Sequence, residues 1–203
     1  MPRKKKHEKY IRVLAFDPST KIAGYSILDY DINSDMIYLY KTGKITRAEL
    51  LKDKDLLKDN EHFDKSFTVI EGIGNHVKKL LDEYKPAYVV SESAFAGSFI
   101  QALIVISSVI TKIRHMCKLY NNRDLYMVAP KQTKSEITGD HNADKVKLRE
   151  CLVTNKKLKL IIPKSINLDK LTLDETDAIG HGVTFIRQQL PTLILENSKH
   201  SSK

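Results

Sequence analysis

The stretch from Val13 to Leu28 constrains the fold of this chain more than any other. Two β-rich runs, Val13-Leu14-Ala15-Phe16 and Ala23-Gly24-Tyr25-Ser26-Ile27-Leu28, flank a tight connection bearing Pro18 and Ser19. That pattern reads as a β-hairpin. The first run ends in Asp17. A carboxylate at the exit of a buried strand is costly unless a cation or hydrogen-bond donors satisfy it. Asp17 is therefore a candidate metal ligand, and it directs attention to acids at the ends of other elements.

The alternation of elements extends from that hairpin. Met36 to Ile45 suits a third strand, making an antiparallel meander with the first two. Residues 47–66 are highly charged and read as a solvated loop or helix start. From Phe67 to Tyr84, Val69, Ile70, Ile73, Val77, Leu80 and Leu81 recur at helical spacing. Pro86 ends that helix, and Ala87-Tyr88-Val89-Val90 forms a short buried strand leading to Glu92. A second helix, from about Gly97 to Tyr120, is apolar around most of its circumference. Such a helix is buried on two sides, either by its own core or by a partner subunit. Leu125 to Val128 reads as a fifth strand, and Pro130 begins a polar connection. Further helices cover residues 143–154 and about Asp174 to Gln189, with a basic loop at Lys156-Lys157-Leu158-Lys159 between them. The order predicts an α/β layer fold with a five-stranded mixed sheet flanked by helices.

The 203 residues, 41% hydrophobic, suffice for one sizeable core, so a single domain is the default. The 34 Lys and Arg exceed the 25 Asp and Glu, leaving a formal net charge of +9. Such a charge fits a polyanionic partner, most often nucleic acid, although many basic proteins are merely soluble. Cys117 and Cys151 lie far apart with no CxxC spacing, which fits a reduced compartment and assigns neither thiol a role. No run is long and apolar enough for a membrane span. The start, Met1 to His7, lacks a signal-peptide core and reads as a basic tail.

Three further carboxylates stand out beside Asp17. Glu92 follows the fourth strand by one residue, and Asp174 and Asp177 share one face at the start of the last helix. First-turn acids complement the helix dipole and are ordinary caps, and an Asp after a strand is often a turn former. The four gain meaning only together, because converging carboxylates repel unless divalent cations neutralise them. An all-carboxylate set suits two Mg²⁺ ions, with Mn²⁺ as a substitute, in a phosphodiester-cleaving site.

These residues also carry a resemblance. Val13 to Thr20, continuing to Gly24-Tyr25, resembles the first motif of the RuvC family of Holliday junction resolvases. Glu92-Ser93-Ala94-Phe95 resembles its second motif, and Asp174-Glu175-Thr176-Asp177-Ala178 its closing one. Between them, Lys131-Gln132-Thr133-Lys134, Gly139 and Ala143-Asp144-Lys145 are similar to the family's basic stretch. The resemblance spans roughly residues 11–188 and implies a ribonuclease H-like fold and a homodimer. It also implies Mg²⁺-dependent, symmetrical nicking of four-way DNA junctions in the cytoplasm of a bacterial or virus-infected cell. Asp17, Glu92, Asp174 and Asp177 would then be the catalytic metal ligands. Lys134 and Lys145 would contact phosphate, and Phe95 would stack on opened bases. The helix at about 97–120 would form the dimer. The implied organisation is a basic tail at 1–10, a RuvC-like nuclease domain at 11–190 and a C-terminal tail at 191–203. Departures exist: the family's Gly-x-Gly appears as Gly139-Asp140-His141, and the insertion at 47–66 is long. His181, one turn beyond Asp177, could approach the metals, though such a residue more often packs. Two other readings compete: a less selective branched-DNA nuclease, such as a virus uses before packaging DNA, and an actin/Hsp70-like nucleotide-binding protein. The latter expects more glycine-rich phosphate loops than eight glycines supply.

Overall fold

The computed structural model describes residues 10–19, 21–94 and 100–200. Strands β1 (Tyr10–Asp17), β2 (Ile22–Asp31) and β3 (Met36–Thr46) form the antiparallel meander. On the other side of β1, β4 (Tyr88–Glu92) and β5 (Leu125–Val128) add in parallel. A two-residue strand, β6 (Leu160–Ile161), pairs in parallel with β3, so the order is β5-β4-β1-β2-β3-β6. The sheet thus has six strands instead of five. β6 is too short to leave a periodic signature and follows directly on the basic stretch, where the Ile37 amide donates to the Lys159 carbonyl at 2.9 Å.

Strand alternation assigns the two faces. Leu14 and Phe16 of β1 enter one apolar cluster, and Val13 and Ala15 enter the other. The first face is covered by α3 (Lys65–Tyr84) and α4 (Ile100–Leu119). The charged segment before α3 forms two short helices, α1 (Arg47–Leu50) and α2 (Lys54–Asp59), whose Thr46 and Asp53 caps satisfy first-turn amides. Leu50 and Leu56 bury against α3 and fasten this segment to the core.

The second face is covered by α5 (Pro130–Thr138), α6 (Lys145–Thr154) and α7 (Leu173–Gln188). Pro130 opens a helix where a polar connection was expected: at the first helical position its missing N–H has no partner to lose. After Gln189 the chain continues as α8 (Leu190–His200), which tucks Leu190, Leu193 and Ile194 into the same cluster.

Helix α7 is the structural centre of this face, buried continuously from Glu175 to Ile186. Gly182 lets it settle onto the sheet, since a Cβ there would crowd Leu28 and lie 3.1 Å from the Ala15 Cβ. Near its far end, Arg187 donates to the Asp35 carboxylate at 2.5 Å, and Lys159 does so at 2.7 Å. Together these two cations hold the Asp35 carboxyl down at about 2, with the Lys159 hydrogen bond the largest cause. Among the described residues, no helix is long and apolar enough to cross a membrane.

Candidate metal and nucleic-acid site

Parallel pairing of β1 with β4 brings two acids together. The register sets Ala15 beside Val90 and Phe16 beside Ser91, so the next residues, Asp17 and Glu92, emerge side by side at the carboxyl ends. Each lies two residues beyond a member of the α7-side cluster (Ala15 and Val90), so both project towards α7. Asp17 is only 4% exposed.

Helix α7 supplies the opposing acids. Its first turn is closed by a capping box: the Glu175 amide donates to Thr172 Oγ1, and the Thr172 amide and hydroxyl donate to the Glu175 carboxylate at 2.9 and 2.8 Å. Capping therefore falls to Thr172 and Glu175, not to Asp174 or Asp177. The turn can reach the sheet because Gly24 lies opposite Asp17. A Cβ on Gly24 would collide with the Asp174 carbonyl oxygen and sit 2.8 Å from the Glu175 nitrogen.

From the first position of α6, Lys145 reaches across to this pair. Its Nζ lies 2.5 Å from Asp177 Oδ2 and 3.6 Å from Asp174 Oδ1. Partial burial disfavours the ammonium, but Asp177, Asp17 and Asp174 outweigh burial and raise its pKa, so the charge persists. Lys134 on α5 is close enough that its charge favours the ionised forms of Glu92 and Asp177.

The acids are not at ease without a cation. Burial, then the charge of Glu92, pushes Asp17 well above the usual carboxylate range. Burial likewise raises Glu92 and Asp177, while the positive charges of Lys145 and Lys134 pull both back down. A divalent cation between Asp17 and Glu92 would offset their mutual repulsion by favouring both ionised carboxylates.

His181 completes the floor of the cleft. It is 3% exposed, and its Nδ1 lies 2.8 Å from Thr133 Oγ1. Its Nε2 is 3.9 Å from both Asp17 Oδ1 and Glu92 Oε1 and has no hydrogen-bond partner. Burying such an atom unsatisfied costs about 1–3 kcal/mol. Burial, and then Lys145, holds the imidazole pKa down at about 3, so the ring is neutral. Donor atoms of Asp17, Glu92 and His181 lie within 4.8 Å of one another. Two carboxylates and a neutral imidazole facing one point fit a divalent cation.

The fold therefore gathers Asp17, Glu92, Asp174, Asp177, Lys134 and Lys145, while Phe95 lies outside the described residues. Sequence reasoning gave no weight to Thr133 and set His181 aside. The available signal was the helical spacing of Asp174, Asp177 and His181, which turns all three towards one side of α7.

Comparison with known proteins gives a consistent result. No family model matches the chain. Among curated proteins, it is 30% identical over 144 residues to the crossover junction endodeoxyribonuclease RuvC of Finegoldia magna, covering 71% of this chain and 78% of that one. It is 27% identical over 178 residues to the RuvC of Fusobacterium nucleatum, covering 87% and 80%. Its fold is similar to that of Thermus thermophilus RuvC, with a TM-score of 0.65 at 14% identity over 89% of this chain and 97% of that one.

Proposed function

The chain belongs to the RuvC family of crossover junction endodeoxyribonucleases, and on that premise we propose that its acidic cleft resolves Holliday junctions by paired, symmetrical nicks. The observation that carries this reading is the meeting of Asp17 and Glu92, at neighbouring strand ends, with Asp174 and Asp177 on α7. These four acids would hold two Mg²⁺ ions, with Mn²⁺ as a substitute. When bound, such cations neutralise charge at the phosphodiester and activate water for in-line attack.

The remaining work belongs to the chain. The floor beneath the acids is buried, with Asp17 and His181 almost inaccessible, so charges presented there act more strongly than in water. Lys145, charged and half exposed at the mouth, would pair with a phosphate oxygen, with Lys134 adding a second positive charge. Phe95, three residues past Glu92, would stack on a base opened at the junction.

A homodimer would set two such clefts against opposing strands. The outward face of α4 supports that assembly: Ile100 and Ile104 are 75% and 60% exposed, and Leu103 and Ile70 line the adjoining groove. The bacterial origin of the relatives favours the cytoplasm of a bacterial cell over a virus-infected host.

The test is cleavage of an end-labelled four-way junction, a Y-fork and a linear duplex, with and without Mg²⁺. The junction is expected to be cut in symmetric pairs only with metal, and Asp174→Asn is expected to bind junctions yet leave them intact. Equal cutting of all three substrates would replace junction selectivity with the broader branched-DNA reading. Normal cleavage by Asp174→Asn would overturn the metal-ligand assignment.

A further inference from the structure

We propose that His181 is a nitrogen ligand of the divalent cation held by Asp17 and Glu92, and that Thr133 fixes the ring for that task. The inference rests on the cleft being a metal site and adds a donor of a different chemical class to it. Nε2 is buried, has no partner and faces two carboxylate oxygens at 3.9 Å each. That separation is too long for a hydrogen bond. It does match donors around one ion, because ligands about 2.1 Å from a common centre lie about 3–4.2 Å apart.

The other ring nitrogen is committed. In the tautomer that donates from Nδ1 to Thr133 Oγ1, at 2.8 Å, Nε2 carries the lone pair that a metal needs. The seat for this contact is built into the packing: a Cβ on Gly180, one residue before His181, would lie 2.9 Å from the Thr133 methyl. The glycine lets α5 approach α7 closely enough for the hydroxyl to reach the ring. A consequence is selectivity, since imidazole is a softer donor than carboxylate. The site should prefer Mn²⁺ over Mg²⁺ more strongly than an all-oxygen set would.

The test uses the full chain loaded with Mn²⁺ and pulsed electron paramagnetic resonance, with and without ¹⁵N-labelled histidine. One histidine nitrogen coupling is expected. The chain has seven histidines, so His181→Gln identifies the source. It should remove the coupling, retain weaker Mn²⁺ binding, and lower the Mn²⁺ to Mg²⁺ affinity ratio about tenfold. Thr133→Val should weaken Mn²⁺ binding about 10–100-fold, and Thr133→Ser should restore it. Bound Mn²⁺ with no histidine coupling in the unmutated protein, or with coupling retained in His181→Gln, overturns the assignment and leaves the carboxylate site standing. Failure to bind Mn²⁺ at all overturns both. If His181→Gln does not fold, the unmutated spectrum and the Thr133 pair decide the matter.

Discussion

Replacing Gly24 with alanine tests whether the proposed chemistry depends on the close seating of α7 against β2. Gly24 pairs with Asp17, and a Cβ built on it overlaps the Asp174 carbonyl oxygen and lies 2.8 Å from the Glu175 nitrogen. Both neighbours are backbone atoms, so neither can swing aside as a flexible side chain would. Helix α7 is also anchored along its length, by Gly182 against Leu28 and Ala15 and by Arg187 on Asp35. Restoring ordinary contact requires the first turn to withdraw by about 1 Å. That movement carries Asp174 and Asp177 away from Asp17 and Glu92, and a displacement of that size costs about 10²-fold in rate. Overpacking at one site costs about 1–3 kcal/mol, less than the ~5–15 kcal/mol that keeps a typical domain folded. The measurements are a denaturation midpoint, junction affinity in chelator, and single-turnover nicking at saturating Mg²⁺. The variant should fold, bind junctions within about threefold of the parent, and cut about 10²-fold more slowly. Cutting within about threefold of the parent rate, whatever the stability, would refute the argument that this contact sets the acid geometry.

Asp17→Asn should abolish detectable nicking, a loss of at least about 10³-fold, while junction binding in chelator is retained; electrophoretic mobility and product gels report the two separately. Because Asp17, Glu92 and Asp177 are all raised in the fold, their contribution to stability is full below the unfolded carboxylate range of about 4 and is lost as pH rises through the folded values. Thermal melts in chelator should therefore show this contribution falling towards neutral pH in the parent and much less in Asp17→Asn, with added Mg²⁺ stabilising more at pH 8 than at pH 5; an Mg²⁺ effect independent of pH would contradict it. Lys145→Met should slow nicking by about 10²–10³-fold with Mg²⁺ affinity unchanged or tighter, since it removes a cation that competes for Asp177; weakened metal binding would show that the lysine organises the acids instead. Junction affinity should fall steeply with salt, and the slope of log affinity against log salt should shrink by about one unit in Lys134→Ala.

How far this site could be read in the sequence follows from where each residue gets its meaning. Asp17 and Glu92 are legible because an acid at the exit of an apolar run breaks a local rule, and the break is visible within a few residues. Asp174 and Asp177 break no rule on their own, since acids belong in the first turn of a helix. Their shared helix face drew notice and the motif resemblance set them apart from caps, and the fold supplies the physical reason: Thr172 and Glu175 already satisfy the cap. β6 and α5 escaped notice for a related cause, one being two residues long and the other opening on a proline that reads equally as a connector. His181 was the least legible. A histidine on a buried helix face is ordinary, and its helical spacing from Asp174 and Asp177 puts it on their side of α7 without separating a packed ring from a ligand. Its distinction is that Thr133 on α5 occupies one nitrogen while the ends of β1 and β4 leave the other facing two carboxylates. That condition exists only once four elements have met, so no window along the chain could contain it. Sequence rules of spacing and capping account for residues one element at a time. What marks this cleft is a set of acids crowded together against burial, with the unpartnered His181 Nε2 among them, all meeting at one side of α7.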